Sequence, residues 1–258
     1  MITPNAVIKN PFTMRNIYIL FLLITLISCN KSVLDSSNSG SQNGTGGSLA
    51  RFTLSGNYLY TVEDETLSTY DVTNASSPVL KNTLQIGNNI ETIYPYKNNL
   101  FIGSQNGMFI YDISNPATPK YSGSASHVRS CDPVVANDTA AFVTLRGSGF
   151  CGTATDGLYI YNVKNLLNPQ LIKMVDLSTP YGLGLKDSTL FVCRGTNGLS
   201  VLNVKNINSP VEVRTITGND FRDVIPYNDL LICYVADGIA LYNISNVSNI
   251  QFLQKILN

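Results

Sequence analysis

Residues 108–119 read MFIYDISNPATP, in which an apolar strand runs into a polar turn and ends at two prolines. The same pattern recurs at four other places: LSTYDVTNASSP (67–78), LYIYNVKNLLNP (158–169), LSVLNVKNINSP (199–210) and IALYNISNVSNI (239–250). The polar residue that ends the strand falls at positions 71, 112, 162, 203 and 243, so the steps are 41, 50, 41 and 40 residues. A period of about 40 residues built from strand signals is typical of β-propeller blades.

Each repeat unit has the same internal order of strand signals, with room for four short strands. The sequence therefore predicts an all-β fold, a five-bladed β-propeller of four-stranded blades about 41 residues long. We expect the ring to close by packing of blade five against blade one, without strand exchange. The propeller domain is predicted to span 49–258, with blades at about 49–88, 89–128, 129–178, 179–218 and 219–258.

The polar residues that repeat have a local explanation. An Asp or Asn at a strand end accepts a hydrogen bond from the backbone N–H two residues on and bends the chain. A ring of metal sites is the alternative, but Asn replaces Asp in three of the five units. We therefore predict turn residues and no metal site at Asp71, Asp112, Asn162, Asn203 and Asn243.

The N-terminal region has the pattern of an export signal. Residues 14–32 read MRNIYILFLLITLISCNKS, in which Arg15 precedes an apolar run too short to cross a bilayer as a stop-transfer helix. Its end, Leu26–Cys29, resembles the lipobox of bacterial lipoproteins, in which the Cys receives the lipid. The alternative is a buried strand or helix followed by an incidental Cys. We predict a signal peptide over 1–28, with Met1 or Met14 as the start, and lipid attachment at Cys29.

The segment after the lipobox predicts a tether. Residues 29–48 are rich in Ser, Gly and Asn, and such a composition does not bury enough apolar surface to fold. Anchor and tether together predict an outer-membrane lipoprotein of the cell envelope, facing the periplasm or the cell surface. Its Lys+Arg and Asp+Glu counts are both 17, which gives no reason to expect a nucleic-acid partner. We expect a monomeric domain held on the membrane by its lipid.

Several stretches also resemble a known family. The pattern around YDISNP is similar to the LVIVD repeat of bacterial envelope proteins. The stretches NNLFIGSQNGMFIYDISNPATP, SCDPVV with FVTLRGSGFCG, and PYGLGL with LFVC resemble lipoproteins of that family from Bacteroidetes-like bacteria. The resemblance covers about residues 49–258. It implies a β-propeller on a lipid anchor and implies no activity.

The sequence contains little that predicts catalysis. His127 is the single histidine and lies in a predicted loop outside any nucleophile motif, and no cofactor motif is present. We predict a binding or protein-interaction module without enzymatic activity or cofactor, whose partner is an unknown envelope protein or glycan. One alternative is a glycan-active hydrolase with paired carboxylates in the central pit. The other is a structural component of an envelope complex.

The 50-residue step marks an insertion in the third unit, RGSGFCGTAT (146–155), between its second and third strands. Cys151 lies in this insertion, and Cys131 lies in the connection that enters the first strand on the same face of a propeller. An oxidising compartment favours a disulfide between them, which would stabilise the fold by roughly 3 kcal/mol. Cys193 and Cys233 occupy equivalent strand positions, where we expect buried free thiols.

A row of polar residues stands where the innermost strands begin. Counting back from each second strand reaches Ala50 and then four polar or aromatic residues: Glu91, Asp132, Tyr181 and Arg222. We predict that these four line one mouth of the central channel and bind a polar ligand, with Arg51 and Arg146 beside them. The alternative is that strand ends are solvated and acquire polar residues without function.

Overall fold

The computed structural model describes residues 46–127, 133–147 and 154–257, all within one compact unit. The predicted signal peptide, Cys29 and most of the predicted tether lie outside these residues. The described secondary structure is eighteen β-strands and one turn of 3-10 helix, Val247–Asn249. None of the described helical structure is long and apolar enough to cross a membrane.

The strands follow one another in short antiparallel hairpins. In chain order they are β1 (Phe52–Ser55), β2 (Tyr58–Asp71), β3 (Val79–Tyr96), β4 (Asn99–Ser104), β5 (Gly107–Asp112), β6 (Lys120–Ser126), β7 (Val134–Ala136), β8 (Ala140–Leu145), β9 (Gly157–Asn162), β10 (Gln170–Asp176), β11 (Leu183–Lys186), β12 (Thr189–Cys193), β13 (Leu199–Asn203), β14 (Val211–Ile216), β15 (Phe221–Tyr227), β16 (Leu230–Val235), β17 (Gly238–Asn243) and β18 (Gln251–Leu257). In chain order the predicted 146–155 insertion falls between β8 and β9, and its residues 148–153 lie outside the described residues.

The all-β propeller is confirmed, but the prediction of five separate four-stranded blades is wrong. The described strands form four sheets: one of six strands, β1 to β6, and three of four strands, β7 to β10, β11 to β14 and β15 to β18. The first two repeat units share a sheet because β3, 18 residues long, continues through the predicted boundary between them. It bends there at Asn89, whose φ is 54°. Residues 79–85 pair with β2, residues 92–96 pair with β4, and Ile90 pairs with both.

The turn residues do what the sequence predicted. At the ends of β2, β5, β9, β13 and β17, one in each repeat unit, a side-chain oxygen accepts the backbone N–H two residues on. These bonds join Thr73 to Asp71 (3.0 Å), Ser114 to Asp112 (2.7 Å), Lys164 to Asn162 (3.1 Å), Lys205 to Asn203 (3.0 Å) and Ser245 to Asn243 (2.8 Å). The interpretation of these residues as turn formers is confirmed.

A second hydrogen bond also recurs in each unit and joins the residue after this strand end to the turn between the first two strands of the unit. It runs from the backbone N–H to the carbonyl oxygen in the pairs Val72–Asn57, Ile113–Asn98, Val163–Thr139, Val204–Ser188 and Ile244–Asp229. The repeated sequence letters therefore specify a repeated turn geometry, and they position the strands of every unit alike.

The core lies between neighbouring sheets, and β8 shows how. Every residue of β8 is buried, because successive side chains of a strand point to opposite faces and both faces of this one are covered. Phe142 packs in the cluster that contains Leu190 of β12. Val143 packs in the cluster that contains Phe101 of β4. This two-sided burial explains why β8 reads as an uninterrupted apolar run rather than an alternating one.

The segment before β1 closes the ring. The composition of residues 29–48 predicts that Ser48 belongs to the tether, yet it is 1% exposed, so the folded domain begins before Leu49. Its hydroxyl accepts the N–H of Leu183 in β11 at 2.7 Å and donates to Asp223 of β15 at 3.1 Å. The carbonyl of Ala50 accepts the N–H of Ile93 in β3 at 2.9 Å. Closure thus uses hydrogen bonds from a non-strand segment as well as packing.

Two glycines make room for this closure. A Cβ on Gly47 or on Gly182 would stand 2.1 Å from a carboxylate oxygen of Asp223, a separation that no real Cβ tolerates. Burial raises the pKa of Asp223, although hydrogen bonds from the N–H of Val224 and from Ser48 act in the opposite direction. A carboxylate enclosed by two glycines therefore joins the first repeat unit to the last.

Candidate functional site

Three of the predicted site residues meet at the start of the inner strands. Tyr181 precedes β11, Arg222 is the second residue of β15, and Arg146 directly follows β8. The guanidinium carbon of Arg146 lies 4.1 Å from the centroid of the Tyr181 ring, and that of Arg222 lies 4.6 Å from it. Both distances are within the range of a cation–π contact. Side chains from three separate sheets therefore share one aromatic ring.

The backbone around Tyr181 is held by all three sheets. Its N–H donates to the carbonyl of Cys193 at 2.8 Å, and its carbonyl accepts the hydroxyl of Thr144 at 2.6 Å. The ring lies over Gly195, where φ is 58° and a Cβ would be 3.1 Å from a ring carbon. Only a glycine combines that left-handed backbone with so close an approach. These contacts hold the Tyr181 backbone in place and bring Gly195 against its ring.

Arg222 forms an ion pair with Asp220, which directly precedes the same strand. Its Nη2 donates to Oδ2 of Asp220 at 2.5 Å, with side-chain exposures of 35% for the arginine and 22% for the aspartate. Burial alone would lower the pKa of Arg222, but hydrogen bonding to Asp220 and the interaction with Tyr181 raise it. The guanidinium is permanently charged, fixed in place and still reached by solvent.

Asp156 is a site residue that the sequence reasoning missed. One of its carboxylate oxygens accepts the N–H of Gly147 at 2.9 Å, and the other accepts the N–H of Thr179 at 3.0 Å. It therefore joins the chain next to Arg146 to the chain just before Tyr181. An Asp-Gly pair at a hairpin is explained by turn geometry alone, so no signal in the sequence indicates this second role.

The other predicted residues have different surroundings. Nη2 of Arg51 donates to the carbonyl of Ile90 at 2.8 Å, next to Glu91, and Glu91 accepts a hydrogen bond from Nε2 of Gln105 at 3.0 Å. Arg51 and Glu91 are thus held against β3 and β4. Asp132 lies outside the described residues, so its place at the mouth stays a prediction.

The cysteines divide into two groups. Cys131 and Cys151, the predicted disulfide pair, lie outside the described residues. Cys193 and Cys233 are free and buried, which confirms the prediction for those two. Burial raises the pKa of both thiols, so they are thiols and not thiolates at neutral pH, and they pack as small apolar side chains.

A small cavity lies further along the channel. It has a volume of about 220 Å³ and extends between β3, β7, β11 and β15, with Tyr94, Val135, Gly184 and Pro226 among its lining residues. Gly46 also lines it. Among the described residues, no group of three His, Cys, Asp or Glu side chains is placed to hold a metal ion. The arrangement at the mouth suits recognition of a polar group by fixed cations.

Comparison with protein families gives a match in the first part of the chain. The family described as LVIVD repeat matches residues 46–85 and 93–126, which are the first two repeat units. The first match begins before Leu49, in agreement with the buried position of Ser48. No curated protein matches the chain.

Solved structures that resemble the chain are of varied kinds. The computationally designed protein Ika8 has 14% identity and a TM-score of 0.58, over 80% of this chain and 60% of that one. A protein from Lactobacillus plantarum has 12% identity and a TM-score of 0.61, over 85% and 72%. The periplasmic gluconolactonase of Pseudomonas aeruginosa has 14% identity and a TM-score of 0.60, over 78% and 68%. At these identities the likeness shows the propeller fold alone.

Proposed function

We propose that this chain, a β-propeller whose first two repeat units match the LVIVD repeat, is a binding module of the cell envelope. Its ligand, a glycan or a polar segment of an envelope protein, binds at the mouth where the inner strands begin. The contact of two guanidiniums with the Tyr181 ring carries this proposal. Fixed polar groups at the mouth of a rigid scaffold are what specific recognition requires.

The geometry favours recognition over chemistry. Three carboxylates near the mouth have structural roles, because Asp156 accepts two backbone N–H groups, Asp220 pairs with Arg222, and Asp223 closes the ring. A glycan hydrolase needs one carboxylic acid and one carboxylate with access to the substrate. The proposal therefore assigns a ligand to this mouth and no reaction.

The proposal includes the lipid anchor predicted at Cys29. Signal peptide, lipobox and polar tether stand in the order that a membrane-held domain needs. Cys29→Ala is expected to leave a precursor that keeps residues 1–28 and lacks lipid, as measured by mass spectrometry of the membrane fraction. A mature wild-type protein that is soluble in the periplasm and cleaved elsewhere would contradict the anchor.

The binding function is tested with the full-length protein in its own envelope. Wild type and the double variant Arg146→Gln/Arg222→Gln are cross-linked in cells to capture an envelope partner. In a second assay, both purified proteins are applied to a glycan array. Arg214→Gln is the matched control, since Arg214 is exposed on β14, an outer strand. We expect the double variant to lose the ligand that wild type and control retain, at equal abundance and thermal stability. Equal recovery from all three proteins would refute a ligand site at this mouth.

A further inference from the structure

The mouth depends on a residue whose backbone is strained. We infer that Thr179 is a positioning residue of the mouth, whose left-handed backbone directs the Tyr181 ring towards the two arginines. This inference rests on the proposed function and assigns to the same site a residue that holds the binding groups in place. Three observations support it: the conformation itself, the hydrogen bonds that maintain it, and the path of the chain from Thr179 to Tyr181.

Thr179 has a conformation that its own side chain and its neighbour both oppose. Its φ is 49°, in the left-handed region that β-branched residues rarely adopt. The next residue is Pro180, and a residue before proline is pushed towards the extended region. Every other described residue with a positive φ is Gly, Asp, Asn or Lys, none of which is branched at Cβ. Strain of this kind persists only where surrounding contacts maintain it, and it clusters at binding sites.

Three hydrogen bonds maintain this conformation. The backbone N–H of Thr179 donates to Oδ2 of Asp156, directly before β9, at 3.0 Å. The hydroxyl donates to the carbonyl of Arg194 at 3.2 Å and accepts Nδ2 of Asn197 at 2.9 Å, both in the connection between β12 and β13. Parts of two sheets therefore fix one residue. The hydroxyl makes both of its bonds because it is a donor and an acceptor, a property that the similarly shaped valine lacks.

The chain runs directly from this residue into the mouth. Pro180, the one residue between Thr179 and Tyr181, is buried and has a fixed φ. The direction set at Thr179 is therefore passed to Tyr181 with little freedom. The Tyr181 ring then lies 4.1 Å and 4.6 Å from the guanidinium carbons of Arg146 and Arg222. A change of backbone direction at Thr179 would move the ring away from both arginines.

The test measures the position of the ring by NMR of the full-length protein in detergent. Protons above the face of an aromatic ring resonate upfield, so the Nε–H signals of Arg146 and Arg222 report on it, and Tyr181→Leu gives their values without the ring. Thr179→Val removes the hydroxyl and keeps the Cβ branch, and we expect it to lose most of the upfield shift. Thr179→Asn is expected to keep the shift, because Asn tolerates the left-handed region and retains a polar side chain.

Asn228→Val is the matched control. Asn228 also has a left-handed φ, 51°, but it lies in the turn after β15, at the other end of that strand from Arg222. The control puts the same β-branched, apolar side chain into a left-handed position, so it should lower the melting temperature and leave the arginine signals unchanged. If it moves these signals as far as Thr179→Val does, the effect reflects loss of stability and the inference is overturned.

The same variants are then cross-linked in cells and applied to the glycan array. We expect Thr179→Val to recover about tenfold less ligand than wild type, because a ring that is not held must be ordered on binding, and Thr179→Asn to recover the wild-type amount. Unchanged arginine signals in Thr179→Val, or unchanged recovery despite altered signals, would overturn the inference and leave the proposed function to the arginine variants. If wild type itself recovers no ligand, the proposed function fails, and the arginine signals alone decide whether Thr179 positions the ring.

Discussion

Ser48→Ala tests how the ring is closed. The substitution removes one oxygen that accepts the N–H of Leu183 at 2.7 Å and donates to Asp223 at 3.1 Å. Asp223 keeps the N–H of Val224 at 2.9 Å, whereas the buried N–H of Leu183 loses its acceptor. A buried donor left without a partner costs about 1–3 kcal/mol. For a domain of this size, each kcal/mol lowers the melting temperature by about 2–4 °C, so a fall of about 2–12 °C is expected.

Urea unfolding monitored by far-ultraviolet circular dichroism measures this loss. Ser245→Ala is the matched control, because Ser245 is exposed and uses its backbone N–H, not its side chain, in the turn with Asn243. The control is expected to stay within about 0.5 kcal/mol of wild type. If Ser48→Ala is no more destabilising than Ser245→Ala, the segment before β1 is not part of the cooperative fold and does not close the ring.

Three further predictions concern single groups. The raised pKa of Asp223 means that the folded state binds its proton more tightly than the unfolded state does, so the free energy of unfolding falls as pH rises from about 4 through the folded pKa. The difference in unfolding free energy between wild type and Asp223→Asn should therefore shrink over that range. A difference that stays constant from pH 4 to 8 would contradict this. Tyr60→Phe removes a 2.8 Å hydrogen bond to a turn carbonyl of the next unit and should cost about 0.5–1.5 kcal/mol in urea unfolding, unlike the control Tyr58→Phe. Non-reducing mass spectrometry should find Cys131 and Cys151 linked, and alkylation of both in the native protein would exclude the disulfide.

Much of the fold could be predicted because the repeated letters act locally. Asp112 bends the chain through a bond to Ser114, two residues away, so its effect is independent of distant sequence. The same holds at every equivalent position, and a local rule repeated five times is visible in one sequence. Strand order within each unit follows from these turns, since a tight hairpin places the next strand directly beside the preceding one.

The number of sheets could not be predicted for a physical reason. The turn chemistry before Glu91 resembles that of the other units, but β3 continues through it with a bend at Asn89. Whether strand pairing stops at a unit boundary or continues through it depends on packing between units. A local sequence pattern does not encode this packing. The role of Ser48 in closing the ring could not be predicted either, because its Gly/Ser-rich neighbours indicate a tether. Its partners Leu183 and Asp223 lie 135 and 175 residues away in sequence.

The candidate site shows the same division between local and distant information. Counting along the repeats predicted that Tyr181 and Arg222 stand at one mouth with Arg146 nearby, and the structure brings these three side chains together. The sequence predicted that Tyr181 is itself one of the residues that bind the ligand. In the structure two guanidiniums contact its ring, so the cations are the groups presented to a ligand. Whether they bind one stays a prediction.

Departures from the repeat are the positions at which this protein differs from a generic propeller. Residues that recur in every unit, such as Asp112 and Asn203, have their side chains engaged in turns and carry no information about a ligand. The residue at the entrance of the inner strand varies instead from unit to unit, and Tyr181 and Arg222 occupy this position in adjacent sheets. A ring of similar repeat units can select a ligand only through side chains that differ from one unit to the next. The contact of Arg146 and Arg222 with Tyr181 is one such place, because three sheets contribute three different side chains to it.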